Sequence, residues 1–440
     1  DRRCGPDEAE RESRKQQVTR AVCLSMLCGV CQQVITLQSE PRLVQQLSGG
    51  DAAAAARLLG NTAGLIGALG LIVNQVGSKL SDSLGRKAFF VAGPATTFLA
   101  QALIAKFPGS RRVVLSCRVV KGLMTAFLSS VMATTSLTDV LSGQELAMAL
   151  SKISAVVGLG VSATSMAEGA ILARTRSDLR APYLAAAGLG LAQLFCNALC
   201  LPETLEDFKQ KAFDFQVLVE SVNPFAFVQI YTRGSAALQR MSTVIALQMS
   251  IEGRNVMDVT QLWVCNALNW GSNEIRNYIT VYGLLSCLSG VAITPRMLKA
   301  LSVFRFTSTT NLTNALGFLM RGAAAKSWLF YLSIVPLLPG GNGSSATALT
   351  ALANSHAEAA GISKSEFVAW TNNLRGLVGA LAPLVFGNCY ALAQRRGLPA
   401  GAAFALAAAT GALLPELLLR GMREADLRPP GAPPRGAPRF

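Results

Sequence analysis

The stretch APYLAAAGLGLAQLFCNALCL (Ala181–Leu201) runs for 21 residues without a single charge. As an α-helix, rising 1.5 Å per residue, it would be about 31 Å long, the thickness of a bilayer's hydrocarbon core. A second stretch, Leu398–Leu419, is nearly as apolar, with Glu416 as its one charged residue. The composition of the whole chain agrees with these two runs. Hydrophobic residues make up 51%, close to the globular norm, but charged residues are only 15% where about 25% is usual. Mean hydropathy is +0.38. A soluble chain of 440 residues needs more charge than this to cover its surface. Disorder requires low hydrophobicity and dense charge, and is excluded. Ten cysteines spread over this length exclude a small disulfide scaffold.

Working outward from Ala181–Leu201, twelve mostly apolar runs are long enough to cross a bilayer. They lie near 18–38, 54–80, 88–106, 113–136, 149–172, 181–201, 235–252, 272–294, 306–322, 327–349, 367–392 and 397–418. Arg240 and Gln248 interrupt the seventh, Asn311 and Asn314 the ninth. The fold class is therefore an all-α membrane protein. The net charge of +15 invites a nucleic-acid reading, but its distribution argues against one. Basic residues gather in small groups between the apolar runs, as at Arg86 and Lys87 or Arg296 and Lys299. Loops that flank membrane helices look like this, so no nucleic acid is expected. With both termini in the cytoplasm, about 20 Lys and Arg fall on that side and about 13 on the other.

The longest connection divides the runs into two sets of six. The expected organisation is a cytoplasmic segment 1–17, a first bundle 18–201, a central cytoplasmic loop 202–234, a second bundle 235–418 and a disordered tail 419–440 rich in Pro, Gly and Arg. Within the loop, Glu206–Val222 alternates Phe208, Phe213 and Phe215 with Lys209, Lys211 and Asp214, which suits an amphipathic helix on the membrane surface. Residues 1–17 are charged and contain no cleavable apolar core, so no signal peptide is expected.

Four motifs are set on this profile. After the second run comes Ser78-Lys79-Leu80-Ser81-Asp82-Ser83-Leu84-Gly85-Arg86-Lys87. Gly85 permits a tight turn between helix ends, and Asp82 can accept bonds from Arg86 and from helix-terminal N–H groups. The fourth run opens Arg118-Val119-Val120-Lys121-Gly122, the sixth ends Pro202-Glu203-Thr204, and Asn223-Pro224-Phe225 leads towards the seventh. Near the eleventh stand Asn373-Leu374-Arg375 and Ala382-Pro383-Leu384. Together these resemble the major facilitator superfamily, whose loop signature is Gly-x-Leu-x-Asp-Arg-x-Gly-Arg-Lys, and within it the tetracycline-efflux-like drug:proton antiporters. The chain keeps Asp82, Gly85, Arg86 and Lys87 at the family spacing, with Ser78 and Ser83 at the other two positions.

The resemblance implies twelve transmembrane helices in two six-helix bundles, each built from inverted repeats, with substrate bound near mid-membrane. It implies a conformational latch at Asp82, Gly85, Arg86 and Lys87. It also points to the polar residues of the cavity and interface helices as candidates for proton coupling and solute binding: Gln32, Gln33, Asn61, Asn74, Arg118, Glu168, Gln248, Asn372, Asn373 and Arg375. Arg118 costs about 2.5–3.5 kcal/mol in a bilayer, so a partner is expected for it. Counting from the helix ends places Glu168 at a similar depth on the neighbouring helix, as that partner and as a proton carrier. Two features depart from the antiporter pattern: Val18–Gln38 contains no acid, and Gly158-Leu159-Gly160 occurs without a following Pro.

Cys28-x-x-Cys31 lies in an apolar run with no second pair, so no metal is expected. His356, the only His, falls in an expected inner loop, and the Asn311 and Asn342 glycosylation patterns fall in expected membrane helices. No nucleotide motif and no catalytic constellation is present, so neither a cofactor nor enzymatic activity is expected. The expected function is secondary active transport of small organic solutes by a monomer in the lipid bilayer, driven by protons and directed to efflux. The alternatives are a uniporter or symporter for sugars or organic acids, and a non-transporting membrane scaffold or receptor.

Overall fold

The computed structural model describes residues 6–128, 132–141, 143–205, 223–340, 344–362 and 364–422, and these contain helices and no strand. The expected surface helix at 206–222, the tail from 423 and Asn342 lie outside the described residues. The chain divides into two compact units, residues 1–222 with 269–284, and residues 223–268 with 285–440.

The first unit opens with α1 (Pro6–Val34), which gives way to a turn and then α2 (Ser39–Leu47). Asp51 caps α3 (Ala52–Leu84), accepting from Ala53 N at 2.8 Å and Ala54 N at 3.2 Å. Gly85, at φ +85°, makes the corner into α4 (Arg86–Lys106), a conformation that costs glycine little. Next come α5 (Arg111–Phe127), α6 (Ala133–Thr138), α7 (Gly143–Arg174) and α8 (Arg180–Cys200). Val22 and Met26 of α1 pack with Phe90, Phe127 and Met132 in an apolar core.

Helix α8 shows what solvent the chain is built for. Its outward residues are Leu184, Leu191, Phe195 and Leu199, the last 82% exposed, while Gln193 and Asn197 are buried. Gln193 donates to the Ser25 carbonyl at 2.9 Å and Asn197 to the Phe90 carbonyl at 2.6 Å. Apolar side chains face out and amides bond inward, the arrangement that suits a hydrocarbon surrounding.

The second unit begins with α9 (Val228–Arg233). Ser235 caps α10 (Ala236–Ser250), and after a break comes α11 (Arg254–Ala267). Helix α12 (Ser272–Leu288) passes through a π turn at Ser289–Ile293 into α13 (Thr294–Ala300). Then follow α14 (Val303–Gly322), α15 (Ser327–Leu332), α16 (Ile334–Leu337), α17 (Ser344–Ala359), α18 (Lys364–Arg395) and α19 (Ala402–Ala408). A second π turn, Ala409–Leu413, leads into α20 (Leu414–Arg420). Met241, Val244 and Ile245 of α10 pack with Leu349, Phe367 and Trp370 in this unit's core.

Seven helices among the described residues are long and apolar enough to cross a membrane: Glu12–Leu47, Ala52–Gly77, Arg86–Lys106, Val156–Arg174, Arg180–Cys200, Ala369–Arg395 and Ala402–Arg420. The other expected runs coincide with shorter or more polar helices. The seventh run ends at residue 252 where α10 breaks, and helix resumes in α11. The tenth is broken into α15, α16 and α17, and α17 carries His356 in its last turn rather than in the loop expected from sequence. Residues 269–284 fall within the first unit because they pack on it. Arg42 Nη1 donates to Ser272 Oγ at 2.5 Å, and the side chain of Arg276 covers Gly169.

Candidate functional site

The site grows from the break between α1 and α2. Where the helix stops, the backbone N–H groups of Gln38 and Ser39 lose their intrahelical acceptors, which in an apolar interior must be replaced. Glu168 of α7 replaces them. Its carboxylate accepts from Gln38 N (3.1 Å to each oxygen), Ser39 N (2.9 Å) and Ser39 Oγ (2.7 Å), and it is fully buried. The charge of Arg42, one turn into α2, also acts on it.

The restarted helix places Glu40 in its first turn, where the helix dipole favours an anion. Its two oxygens face α5: Arg118 Nη1 donates to one and Lys121 Nζ to the other. The three side chains are 14%, 7% and 13% exposed for Glu40, Arg118 and Lys121. Gly122 follows, where a Cβ would stand 2.6 Å from Ile66 Cδ1, so a larger residue there would require the Ile66 side chain to shift. Lys121 Nζ also lies 5.5 Å from the centre of the Tyr183 ring. Tyr183 is buried on α8, and the charges of Glu40, Arg118 and Glu168 act on its hydroxyl.

The carboxylate that meets Arg118 is thus Glu40 rather than Glu168. Counting depth from the ends of straight helices misplaced the pair, because the chain turns at 35–38 and brings a later acid back towards α5. Sequence reasoning missed Glu40 for the same reason. Its signal was Ser39-Glu40-Pro41, a helix-start pattern immediately after an apolar run.

At the corner between α3 and α4, Gly85, Arg86 and Lys87 come together around Glu203. The Glu203 carboxylate accepts from Arg86 N at 2.9 Å and Lys87 N at 3.0 Å, capping α4, and from Thr204 N and Leu205 N. The Arg86 guanidinium bonds Asp139 Oδ2 at 3.2 Å and the Ser81 hydroxyl. The side chain of Asp82 lies outside the described residues. The acids seen to hold this corner are Asp139 and Glu203.

The remaining candidates lie elsewhere. Gln32 is buried and accepts from Thr97 Oγ1 at 3.2 Å, an interhelical contact. Gln33 and Asn74 are half-buried and Asn61 is exposed. In the second unit Asn372 is exposed, Asn373 donates to the Asn223 carbonyl at 3.3 Å, and the largely exposed Arg375 lies 4.0 Å from Glu252. Gln248 belongs to a buried network that sequence reasoning did not find. Its Nε2 donates to Asn311 Oδ1 at 2.7 Å, and Asn311 Nδ2 donates to Glu416 Oε2 at 3.2 Å. Ser308 Oγ and Arg420 Nε meet Glu416 Oε1 at 2.6 and 2.7 Å.

Residues 24–383 match the family model described as Major Facilitator Superfamily. The chain belongs to the major facilitator superfamily. It is an integral, multi-pass membrane protein of a family of transporters, with the family's all-α fold, and it is not an enzyme. The Escherichia coli protein "Tetracycline resistance protein, class C" is 23% identical over 264 residues, 60% of this chain and 63% of that protein. The chain thus spans under two thirds of the length of that curated relative. Among solved structures, the human organic anion transporter MFSD10 superposes with a TM-score of 0.65 at 18% identity, over 92% of this chain and 99% of that one. A D-xylose-proton symporter does so with a TM-score of 0.66 at 13% identity, over 94% and 99%.

Proposed function

We propose that this superfamily member is a proton-coupled secondary transporter that moves small organic solutes by alternating access, in the direction of export. The observation that carries the reading is the buried carboxylate of Glu40 held between Arg118 and Lys121. A carboxylate inside a bilayer is costly unless paired, and one shared by two cations can exchange that pairing for a proton. The sequence contains no acid within Val18–Gln38, and Glu40 supplies one just beyond the break. Glu168 serves as a positioning residue, since it fixes the helix start on which Glu40 stands. The Gly85-Arg86-Lys87 corner is the latch. Export is supported by the likeness to a resistance protein, and proton coupling by the fold shared with a proton symporter. In this reading both termini face the cytoplasm, the bundles are 18–201 and 235–418, and the chain works as a monomer.

The test is reconstitution of the full chain in liposomes holding a pH-sensitive dye. Gradients of tetracycline, xylose, uridine and an impermeant carboxylate such as succinate are imposed in turn. A solute gradient that moves protons in the wild type, and moves none in Glu40→Gln, supports the reading. Solute flux that leaves the internal pH unchanged would overturn proton coupling, and no flux of any solute would overturn transport.

A further inference from the structure

We infer that the Glu40 cluster selects an organic carboxylate and carries it together with a proton. The inference rests on the transport reading above and names the cargo of the same site; moving with its proton, the carboxylate is exported down its own gradient.

The charges are unbalanced. From α2 come Glu40 and Arg42, from α5 Arg118 and Lys121, from α7 Glu168, and from α8 the neutral Tyr183. Three cations therefore face two carboxyl groups, and at the start of α12 the charge of Arg276, packed over Gly169 beside Glu168, is offset by that of Glu274. Glu168 is committed to the N-terminus of α2 by its four hydrogen bonds. Glu40 is left as the anion that Arg118 and Lys121 share.

The pairing is carboxylate-shaped, because each cation takes one oxygen of Glu40. A substrate carboxylate can occupy the same two donors in the same way. A third donor belongs to the same surroundings: the Tyr183 ring lies 5.5 Å from Lys121 Nζ, and the charges of Glu40 and Arg118 act on its hydroxyl. The Tyr183 hydroxyl is fully buried and has no hydrogen-bond partner, an uncompensated desolvation that an incoming anion would relieve. The cluster keeps a route for entry, since Glu40 and Lys121 retain 14% and 13% of their side-chain exposure.

The exchange conserves charge. A proton from the medium bonds to one oxygen of Glu40, and its two ion-paired hydrogen bonds break. Arg118 and Lys121 then bond the two oxygens of the substrate, with the Tyr183 hydroxyl donating to one of them. One proton and one negative charge have entered, so the net charge of the site is unchanged. A cationic solute gains nothing here, because it would add to an existing positive excess.

The experiment uses the purified full chain. In detergent, thermal shift is measured with lactate, succinate, benzoate and indole-3-acetate, each against its neutral amide, and with benzylamine. At least one carboxylate is expected to protect where its amide and benzylamine do not. Its apparent affinity should rise by up to about tenfold per unit fall in pH, as one linked proton requires. Lys121→Gln should lose about tenfold or more, the loss expected for one charge-assisted bond. Tyr183→Phe, a milder change that keeps the ring, should lose several-fold. Glu40→Gln should bind the carboxylate with no pH dependence. Protection by amides or benzylamine alone, by no carboxylate, or equally in wild type and Tyr183→Phe would overturn the inference. Carboxylate binding without flux in liposomes would sink the transport reading and leave the anion site standing. Proton-linked flux of xylose or tetracycline without carboxylate binding would do the reverse.

Discussion

Replacing Glu40 by Gln leaves Arg118 and Lys121 facing each other with no anion between them. Their side chains are 7% and 13% exposed, so water can screen them little. Removing one partner from a buried pair costs about 3–5 kcal/mol, most of it from the charge left behind. Here a second penalty is added. Two cations bridged by one carboxylate stand about 5 Å apart, and at an effective dielectric constant of about 20 they repel by about 3 kcal/mol. Lys121→Gln alone leaves an intact Glu40–Arg118 pair and should cost no more than about 1–2 kcal/mol.

These magnitudes fix an order that simple accumulation of damage would not give. Glu40→Gln suffers both the loss of the carboxylate and the repulsion, whereas Glu40→Gln with Lys121→Gln suffers only the loss of the carboxylate from Arg118. The double variant should therefore be more stable than the Glu40→Gln single variant, by about 3 kcal/mol less whatever the buried amides cost. Melting of the three proteins in one detergent, followed by tryptophan fluorescence, reads the order directly. A double variant that melts at or below the Glu40→Gln single variant would show that the two cations do not share one carboxylate, and the argument for the site would fail with it.

Four further perturbations test the surrounding framework and the second unit. Glu168→Gln puts an amide donor where N–H groups point and should cost about 1–3 kcal/mol for each donor left without an acceptor, lowering the melting temperature while any remaining flux keeps its pH dependence. Gly85→Ala combines a positive φ with a Cβ at 2.5 Å from Glu203 Oε2, so it should destabilise by about 1–3 kcal/mol and loosen the α4 cap, read by faster amide exchange at Arg86 and Lys87. Gly122→Val pushes Ile66 away and parts α3 from α5, so it should abolish flux in liposomes even where the protein still inserts. In the second unit, Glu416→Ala leaves Ser308 and Asn311 short of an acceptor, which should cost about 2–4 kcal/mol by melting, while Arg420, 60% exposed, contributes little.

Much of the fold was legible because hydropathy and length are local properties. Ala181–Leu201 carries its own evidence, and α8 follows it to within a residue. The breaks were harder to read. The run at 18–38 looks like one straight helix, but four residues of turn at 35–38 separate α1 from α2, and no Gly or Pro within the turn announces it. The site depends on what that turn brings together. Glu40 lies 78 residues from Arg118 and 81 from Lys121, and Glu168 is 129 residues from Ser39. The latch repeats the lesson. Its motif drew attention to Gly85, Arg86 and Lys87, while Glu203, 117 residues from Arg86, and Asp139, 53 residues away, could be found only by folding the chain. Arg118 was identifiable from its cost in an apolar helix; its partner was not, since cost shows that a partner exists without showing which.

The break, its cap and the charge cluster form one physical unit. A helix interrupted inside an apolar bundle frees backbone N–H groups, and a buried carboxylate is the strongest acceptor available to them. Four donated bonds and Arg42 replace part of the hydration that Glu168 loses there. Once that cap is fixed, the first turn of α2 has one orientation, and Glu40 must face α5 rather than lipid. Arg118 and Lys121 then become tolerable in the bilayer through Glu40, and Tyr183 fills the space behind Lys121. No member is stable in this setting alone: without Glu168 the helix start frays, and without the helix start the two cations lose their anion. Any change that repopulates Glu40, whether a proton or a competing carboxylate, therefore acts on the start of α2, and through Glu168 on α7. In the proposed reading, the chain thus places this charge cluster where binding and movement of a helix end are the same event.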